Sequence, residues 1–152
     1  MDKNYMQIKI KAILDNVSVV RVAITAFISN LNITIDELMD IKTAVSEAVT
    51  NSIEHGYDEM LTQSSIVEIN AYIESLDEDI VKIEIIDTGK GIEDIELATT
   101  PTYTSKPELE HAGMGFTIMQ TFMDEIQIDS TKLSGTNITL IKKIKKKKSP
   151  HI

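Results

Sequence analysis

The sequence predicts an α+β fold, a two-layer sandwich in which a mixed, mostly antiparallel sheet carries helices on one face. Three observations support this expectation. Val67, Ile69, Ala71 and Ile73 alternate with Glu68, Asn70, Tyr72 and Glu74, the period of a half-buried strand. Ile80 to Ile86 supplies a hairpin partner across Asp77-Glu78-Asp79. Ahead of this hairpin, residues 17–54 contain two stretches with apolar positions three and four apart, the spacing of helices that bury one face.

In chain order, Tyr5 to Leu14 alternates as a strand, with Met6, Ile8 and Ile10 on one face and Lys9 and Lys11 on the other. Asn16 is placed to cap a helix over Val17 to Asn30. That helix turns Val20, Ala23, Ile24, Phe27, Ile28 and Leu31 inward and leaves Arg21, Thr25 and Ser29 outward. Thr34 opens a second helix through a capping-box pattern, Thr34-Ile-Asp-Glu37, in which Glu37 reaches back to the cap. The helix extends to about Glu54 and stops near Gly56. The stretch from Glu93 to Ala112 is weakly periodic, contains Pro101 and Pro107, and has the character of a mobile loop. Phe116 to Met123 reads as a helix and Ile126 to Asp129 as a strand. A Ser134-Gly135 turn then leads to a last strand, Thr136 to Ile141.

At 152 residues and 42% hydrophobic content, the chain fits one compact domain with a sizeable core. We place that domain at residues 1–144, followed by a basic tail over 145–152. No apolar stretch is long enough to span a bilayer, and the opening residues lack the apolar region of a signal peptide, so a cytoplasmic protein without membrane association is expected. Cysteine is absent, which excludes disulfides and thiolate metal sites. The net charge of -9 conceals an asymmetry. Six lysines lie at or beyond Lys142, leaving nine basic against 24 acidic side chains, a net -15, in residues 1–141. So acidic a body disfavours direct binding of nucleic acid, which requires a basic face. The Lys142–Lys148 run is expected to be a solvated strand end and tail.

The second helix places Glu47, Asn51 and His55 at i, i+4 and i+8, a polar stripe beside the apolar stripe of Leu38, Ile41, Val45, Ala48 and Val49. Such a helix suits the roof of a cleft. Asp87-Thr-Gly89-Lys-Gly91 follows a β-rich run directly, and Gly113-Met-Gly115-Phe116 opens a later helix. Glycines permit close backbone approach, and a helix N-terminus offers unpaired N–H groups to phosphate oxygens. Together these segments indicate a nucleotide site.

Their order and spacing resemble the GHKL ATPase superfamily, the Bergerat-type ATP-binding fold shared by gyrase, Hsp90, histidine kinases and MutL proteins. Residues 47–55 resemble its N box, Asp87 to Gly91 its first glycine box, Thr99 to Ala112 its ATP lid, and Gly113 to Phe116 its second glycine box. The strings SEAVTNSIEHGY and TSKPELEHAGMGFTIMQTFMDEIQIDS are similar to the anti-sigma F serine kinases of spore-forming bacteria, the stage II sporulation protein AB family. The resemblance covers nearly the whole chain.

The resemblance implies ATP or ADP and Mg²⁺ as ligands and assigns roles to individual residues. Asp87 accepts a hydrogen bond from the adenine amine, Asn51 binds Mg²⁺ through its amide oxygen, and Glu47 acts as general base beside the γ-phosphate. Gly89 and Gly91 wrap the base, Gly113 and Gly115 admit the phosphates, and Thr136 joins the adenine hydrogen-bond network. Relatives commonly carry arginine in the lid where this chain has His111, whose reference pKa of about 6.5 makes it a weaker cation at neutral pH. Lys106, also in the lid, is the candidate substitute. His55 reads as a structural hydrogen-bonding residue.

The implied partners are a sigma factor of the sigma F type, a STAS-fold anti-anti-sigma protein phosphorylated on serine, and a second copy of the chain in a homodimer. Arg21 matches a basic position used in docking. Three rivals stand beside this expectation. They are a general-stress anti-sigma kinase of the same superfamily, a nucleotide-sensing module that sequesters sigma without kinase turnover, and the catalytic half of a histidine kinase. The last lacks a helix pair bearing a phosphoacceptor histidine.

Overall fold

The computed structural model describes residues 2–56, 65–88, 115–130 and 135–146, and these residues form five strands and three α-helices. In order they are β1 (Asp2–Lys11), a 3₁₀ turn (Leu14–Asn16), α1 (Val17–Ile28), α2 (Ile35–Asn51) and a π-helical turn (Ser52–Gly56). Then come β2 (Ile66–Ser75), β3 (Asp79–Asp87), α3 (Gly115–Phe122), β4 (Glu125–Ser130) and β5 (Thr136–Ile144). The strands form one sheet in the order β1-β2-β3-β5-β4. Every described pairing is antiparallel, so the sheet expected to be mixed is antiparallel throughout the described residues.

Strand alternation decides which face is covered. Register aligns Ile8, Ile69, Ile85 and Ile138 in one row and Met6, Ala71, Ile83 and Leu140 in the next. These rows share one core with Val20, Ile24 and Ile28 of α1 and Ile41, Val45 and Val49 of α2. Each fully buried isoleucine contributes about 1.5–3 kcal/mol by leaving water, which is why the strands keep this register: a one-residue slip would turn every member of a row outward. α2 packs against both α1 and α3. It is therefore the central helix of the covering layer.

The capping box is formed as its sequence predicts. Thr34 Oγ1 accepts from the Glu37 N–H and Glu37 Oε1 accepts from the Thr34 N–H, both at 3.0 Å. Asn16 does not cap α1. Its backbone is already helical, and its amide instead donates to the Lys11 carbonyl at 3.0 Å, bracing the turn after β1. That turn begins early, with the Ile13 N–H bonded back to the Lys11 carbonyl at 2.8 Å, so β1 stops at Lys11 rather than at Leu14.

Two further boundaries differ for physical reasons. α2 gives way to π-helical winding at Ser52, so the i, i+4, i+8 alignment expected for Glu47, Asn51 and His55 does not continue in α-helical register beyond Asn51. β5 continues to Ile144, which is buried. Lys142, expected in a solvated strand end, points to the helix-covered side and has only 13% of its side chain exposed. The segment from Glu93 to Ala112 lies outside the described residues. No helix among the described residues is long and apolar enough to cross a membrane.

Candidate functional site

α2 carries Glu47 and Asn51 toward the end where the α-helical winding stops. Glu47 is buried at the edge of the apolar stripe, and Asn51, one turn on, is half-buried. Gly115 opens α3 directly against Asn51. A Cβ on Gly115 would lie 2.6 Å from Asn51 Nδ2 and 3.3 Å from its Cγ and Oδ1. Glycine lets the α3 N-terminus approach this closely without displacing the Asn51 amide. The arrangement brings a carboxylate, an amide oxygen and the first turn of a helix to one junction. The N–H groups of that turn have no partner within the helix.

The second cluster lies at the sheet end. Asp87 is the last residue of β3 and pairs across the sheet with Thr136, the first of β5. Both side chains are buried. Gly135 makes this pairing possible. Its φ of 86° is the left-handed conformation suited to glycine, and an added Cβ would fall on the Asp87 carbonyl oxygen and 2.8 Å from Thr88 Cα. Ser130 Oγ donates to the Gly135 carbonyl at 2.8 Å and lies 2.8 Å from Thr136 Oγ1. Since the single Ser130 hydroxyl proton is committed to the carbonyl, the proton between the two hydroxyls comes from Thr136, which keeps its own lone pairs as acceptors. The π-helical turn after Asn51 packs on β3, the strand that ends in Asp87. Single-turn π segments of this kind recur at functional sites.

Of the residues singled out in the sequence, the structure thus joins Asn51 to Gly115, with Glu47 one turn earlier, and joins Asp87 to Thr136. Arg21 belongs to neither group. It is exposed on α1, which packs on α2, and its neighbours Val22 (69% exposed) and Val19 are also exposed. Gly89, Gly91, Lys106, His111 and Gly113 lie outside the described residues. Sequence reasoning missed two contributors. Gly135 is read from sequence only as a turn, although its place directly before Thr136 was an available signal; Ser130 lies one residue past the strand read to Asp129 and carries no sequence signal of its own.

Comparison with known proteins gives the family and the fold. Residues 10–142 match the model of the histidine kinase-like ATPase domain family. The chain is 50% identical to the anti-sigma F factor of Clostridium beijerinckii over 143 residues, covering 94% of this chain and 96% of that protein. It is 49% identical to the anti-sigma F factor of Bacillus licheniformis over 148 residues, covering 97% of each. Among solved structures, the RsbU and RsbW domains of a Mycobacterium tuberculosis protein superpose with a TM-score of 0.64 at 18% identity, covering 99% of this chain and 35% of that one. The mycobacterial sensor histidine kinase MprB superposes with a TM-score of 0.53 at 13% identity, covering 95% of this chain and all of that one. Both show a shared fold.

Proposed function

We infer that this chain, which belongs to the anti-sigma F factor family of histidine kinase-like ATPase domains, binds and inhibits a sporulation sigma factor of the sigma F type and phosphorylates the antagonist of that inhibition. The antagonist is a STAS-fold anti-anti-sigma protein, and the acceptor is a serine hydroxyl. Both activities depend on bound nucleotide: ATP favours the sigma complex, and ADP or unphosphorylated antagonist favours release. The protein acts as a homodimer in the cytoplasm of a spore-forming bacterium. Arg21, among exposed apolar residues of α1, serves as a docking residue.

The observation that carries this reading is the close contact of Asn51 with Gly115, one turn after Glu47. In the transfer step the serine Oγ attacks the γ-phosphorus, the bond from that phosphorus to the ADP oxygen breaks, and the hydroxyl proton passes to the Glu47 carboxylate. Asp87 accepts from the adenine amine, supported by Thr136. Gly89, Gly91 and Gly113, with Gly115, let the backbone close on base and phosphates, and Lys106 and His111 provide the cationic side chains of the lid.

Mg²⁺ suits the donors present. The Asn51 amide oxygen is a hard oxygen ligand. Among the described residues no group of three or more His, Asp or Glu side chains is arranged to hold a metal, so the ion would depend mainly on phosphate oxygens, with Asn51 as protein ligand. When bound it neutralises charge on the phosphates.

His111 in place of arginine favours a second reading, a module that sequesters sigma without kinase turnover. Intact mass spectrometry separates the two. The full chain is incubated with Mg·ATP and a STAS-fold anti-anti-sigma protein from the same genome, with Glu47→Gln as control. One added phosphoryl group on serine, absent in the control, supports the kinase. Unmodified antagonist, together with ATP-dependent sigma binding, supports sequestration alone.

A further inference from the structure

Lys142 occupies a position the fold would otherwise fill with an apolar residue. The helix-facing side of β5 runs Thr136, Ile138, Leu140, Lys142, Ile144, and the cross-strand neighbour of Lys142 is the buried Val81. An ammonium group is costly there unless it is paired. Lys142 has two partners. Nζ donates to the carbonyl of Phe122 at 2.6 Å and lies 3.5 Å from Asp40 Oδ2. Phe122 is the last residue of α3, so its carbonyl is an acceptor the helix itself leaves unused, at the end where the helix dipole favours a cation. Two more bonds fasten the same corner: the Asp124 N–H to the Ile141 carbonyl at 3.0 Å, and the Lys143 N–H to Asp124 Oδ2 at 2.7 Å.

The elements joined at Lys142 are the ones that carry the candidate site. α2 holds Asp40 near its start and Glu47 and Asn51 at its end. β5 begins at Thr136 and reaches Lys142 six residues later. α3 begins at Gly115 and ends at Phe122. An eight-residue helix is too short to be stable alone; Met119 buries its middle in the core, and contacts at its two ends fix how it sits on α2. At one end Gly115 meets Asn51 with no room for a methyl group. At the other, Lys142 holds the terminal carbonyl.

We propose that Lys142 is a positioning residue for the nucleotide site: by clasping the C-terminus of α3 to Asp40 of α2, it sets how closely Gly115 and the α3 N-terminus approach Asn51. The effect on nucleotide rests on the reading given under Proposed function; the effect on Asn51 does not.

The test compares the full-length wild type with Lys142→Met, which keeps most of the apolar stem and removes the ammonium, and with Lys142→Arg. The side-chain amide resonances of Asn51, assigned through Asn51→Ala, are recorded without nucleotide. Affinity for Mg·ATP is then measured well below the melting temperature. Val20→Ala, in the buried face of α1, serves as the control for loss of stability alone. The Lys142→Met protein is expected to shift the Asn51 amide resonances and to bind Mg·ATP about tenfold more weakly, the scale of one lost charge-assisted hydrogen bond. Lys142→Arg is expected to restore part of that loss, and Val20→Ala to lower the melting temperature with Asn51 and affinity unchanged. Should Lys142→Met fail to fold, Asp40→Asn is expected to shift the same resonances to a smaller degree. Wild-type Asn51 resonances in the folded Lys142 and Asp40 variants would overturn the proposal. A wild-type protein that binds no Mg·ATP would instead refute the nucleotide reading, and the Asn51 resonances alone would then decide the role of Lys142.

Discussion

Replacing Gly115 with alanine would set a methyl group 2.6 Å from Asn51 Nδ2. Ordinary contact requires about 3.5 Å, so the amide must retreat by roughly 0.9 Å. The obstacle is the end of a side chain, which can swing aside while both helices stay in place. An off-rotamer displacement of that kind costs about 0.5–1.5 kcal/mol, and alanine in place of glycine returns up to about 1 kcal/mol of helix propensity. Net stability should therefore stay within about 1 kcal/mol of wild type. Function should not be spared, because a shift near 1 Å in a positioned group can cost on the order of 100-fold in rate. The assay pairs thermal unfolding with Mg·ATP-dependent phosphorylation of the antagonist. The expected signature is a preserved transition with activity lower by about that factor. Wild-type phosphorylation by Gly115→Ala would refute the role given to Asn51. A loss of several kcal/mol would show that the helices, not the side chain, must yield.

Gly135→Ala should behave in the opposite way. Its φ of 86° and the backbone oxygen of Asp87 in the path of a Cβ leave no flexible group to move. Strain and overpacking together should cost about 2–5 kcal/mol, lowering the melting temperature by on the order of 10 °C; an unchanged transition in calorimetry would contradict the tight turn. Glu47→Gln should retain Mg·ATP affinity within about twofold while losing about 10²–10⁴-fold in turnover, and full turnover would remove Glu47 as base. His111→Arg should flatten the pH dependence of turnover. Imidazole is charged below its reference pKa of about 6.5 and neutral above it, so a cationic contribution from His111 is present at low pH and fades as pH rises, whereas arginine stays charged. Superimposable wild-type and variant profiles would exclude His111 from the mechanism.

Local chemistry made much of this legible in advance. The Thr34–Glu37 box, the apolar rows of β2 and β3 and the stripe of α2 each depend on residues a few positions apart, and each appears in the fold. Asn51 and Asp87 were legible because a helix period and a strand end can be read from sequence. Lys142 and Gly135 were misread because their partners are distant in the chain, whereas the partner of Asn16 is only five residues away. Asn16 was read as a cap, but Lys11 outcompeted that role once β1 ended in a turn. Lys142 sits in a lysine run whose composition points to solvent. The carbonyl of Phe122 and the carboxylate of Asp40, 20 and 102 positions away, give it a buried place instead. Gly135 looks like any turn glycine until β3 delivers the Asp87 carbonyl against it.

The charge distribution explains why glycine contacts recur at this site. Residues 1–141 carry a net charge of -15, and two of their carboxylates, Glu47 and Asp87, are buried where the nucleotide is proposed to bind. Such a surface repels a polyphosphate at distances up to a Debye length, about 8 Å at physiological salt. Besides the lid cations and Mg²⁺ proposed above, binding must then draw on short-range groups: backbone N–H donors and the positive end of a helix dipole. Those donors act only at contact distance, so the chain must approach the ligand without intervening side chains. At Gly115 the structure meets that condition, with the backbone of α3 brought against the one amide proposed to share the phosphate-bound cation. A lysine on a flexible stem meets the same need with less geometric demand, the part proposed for Lys106 of the lid. Among the described residues the best-held lysine, Lys142, serves instead at the far end of the same helix.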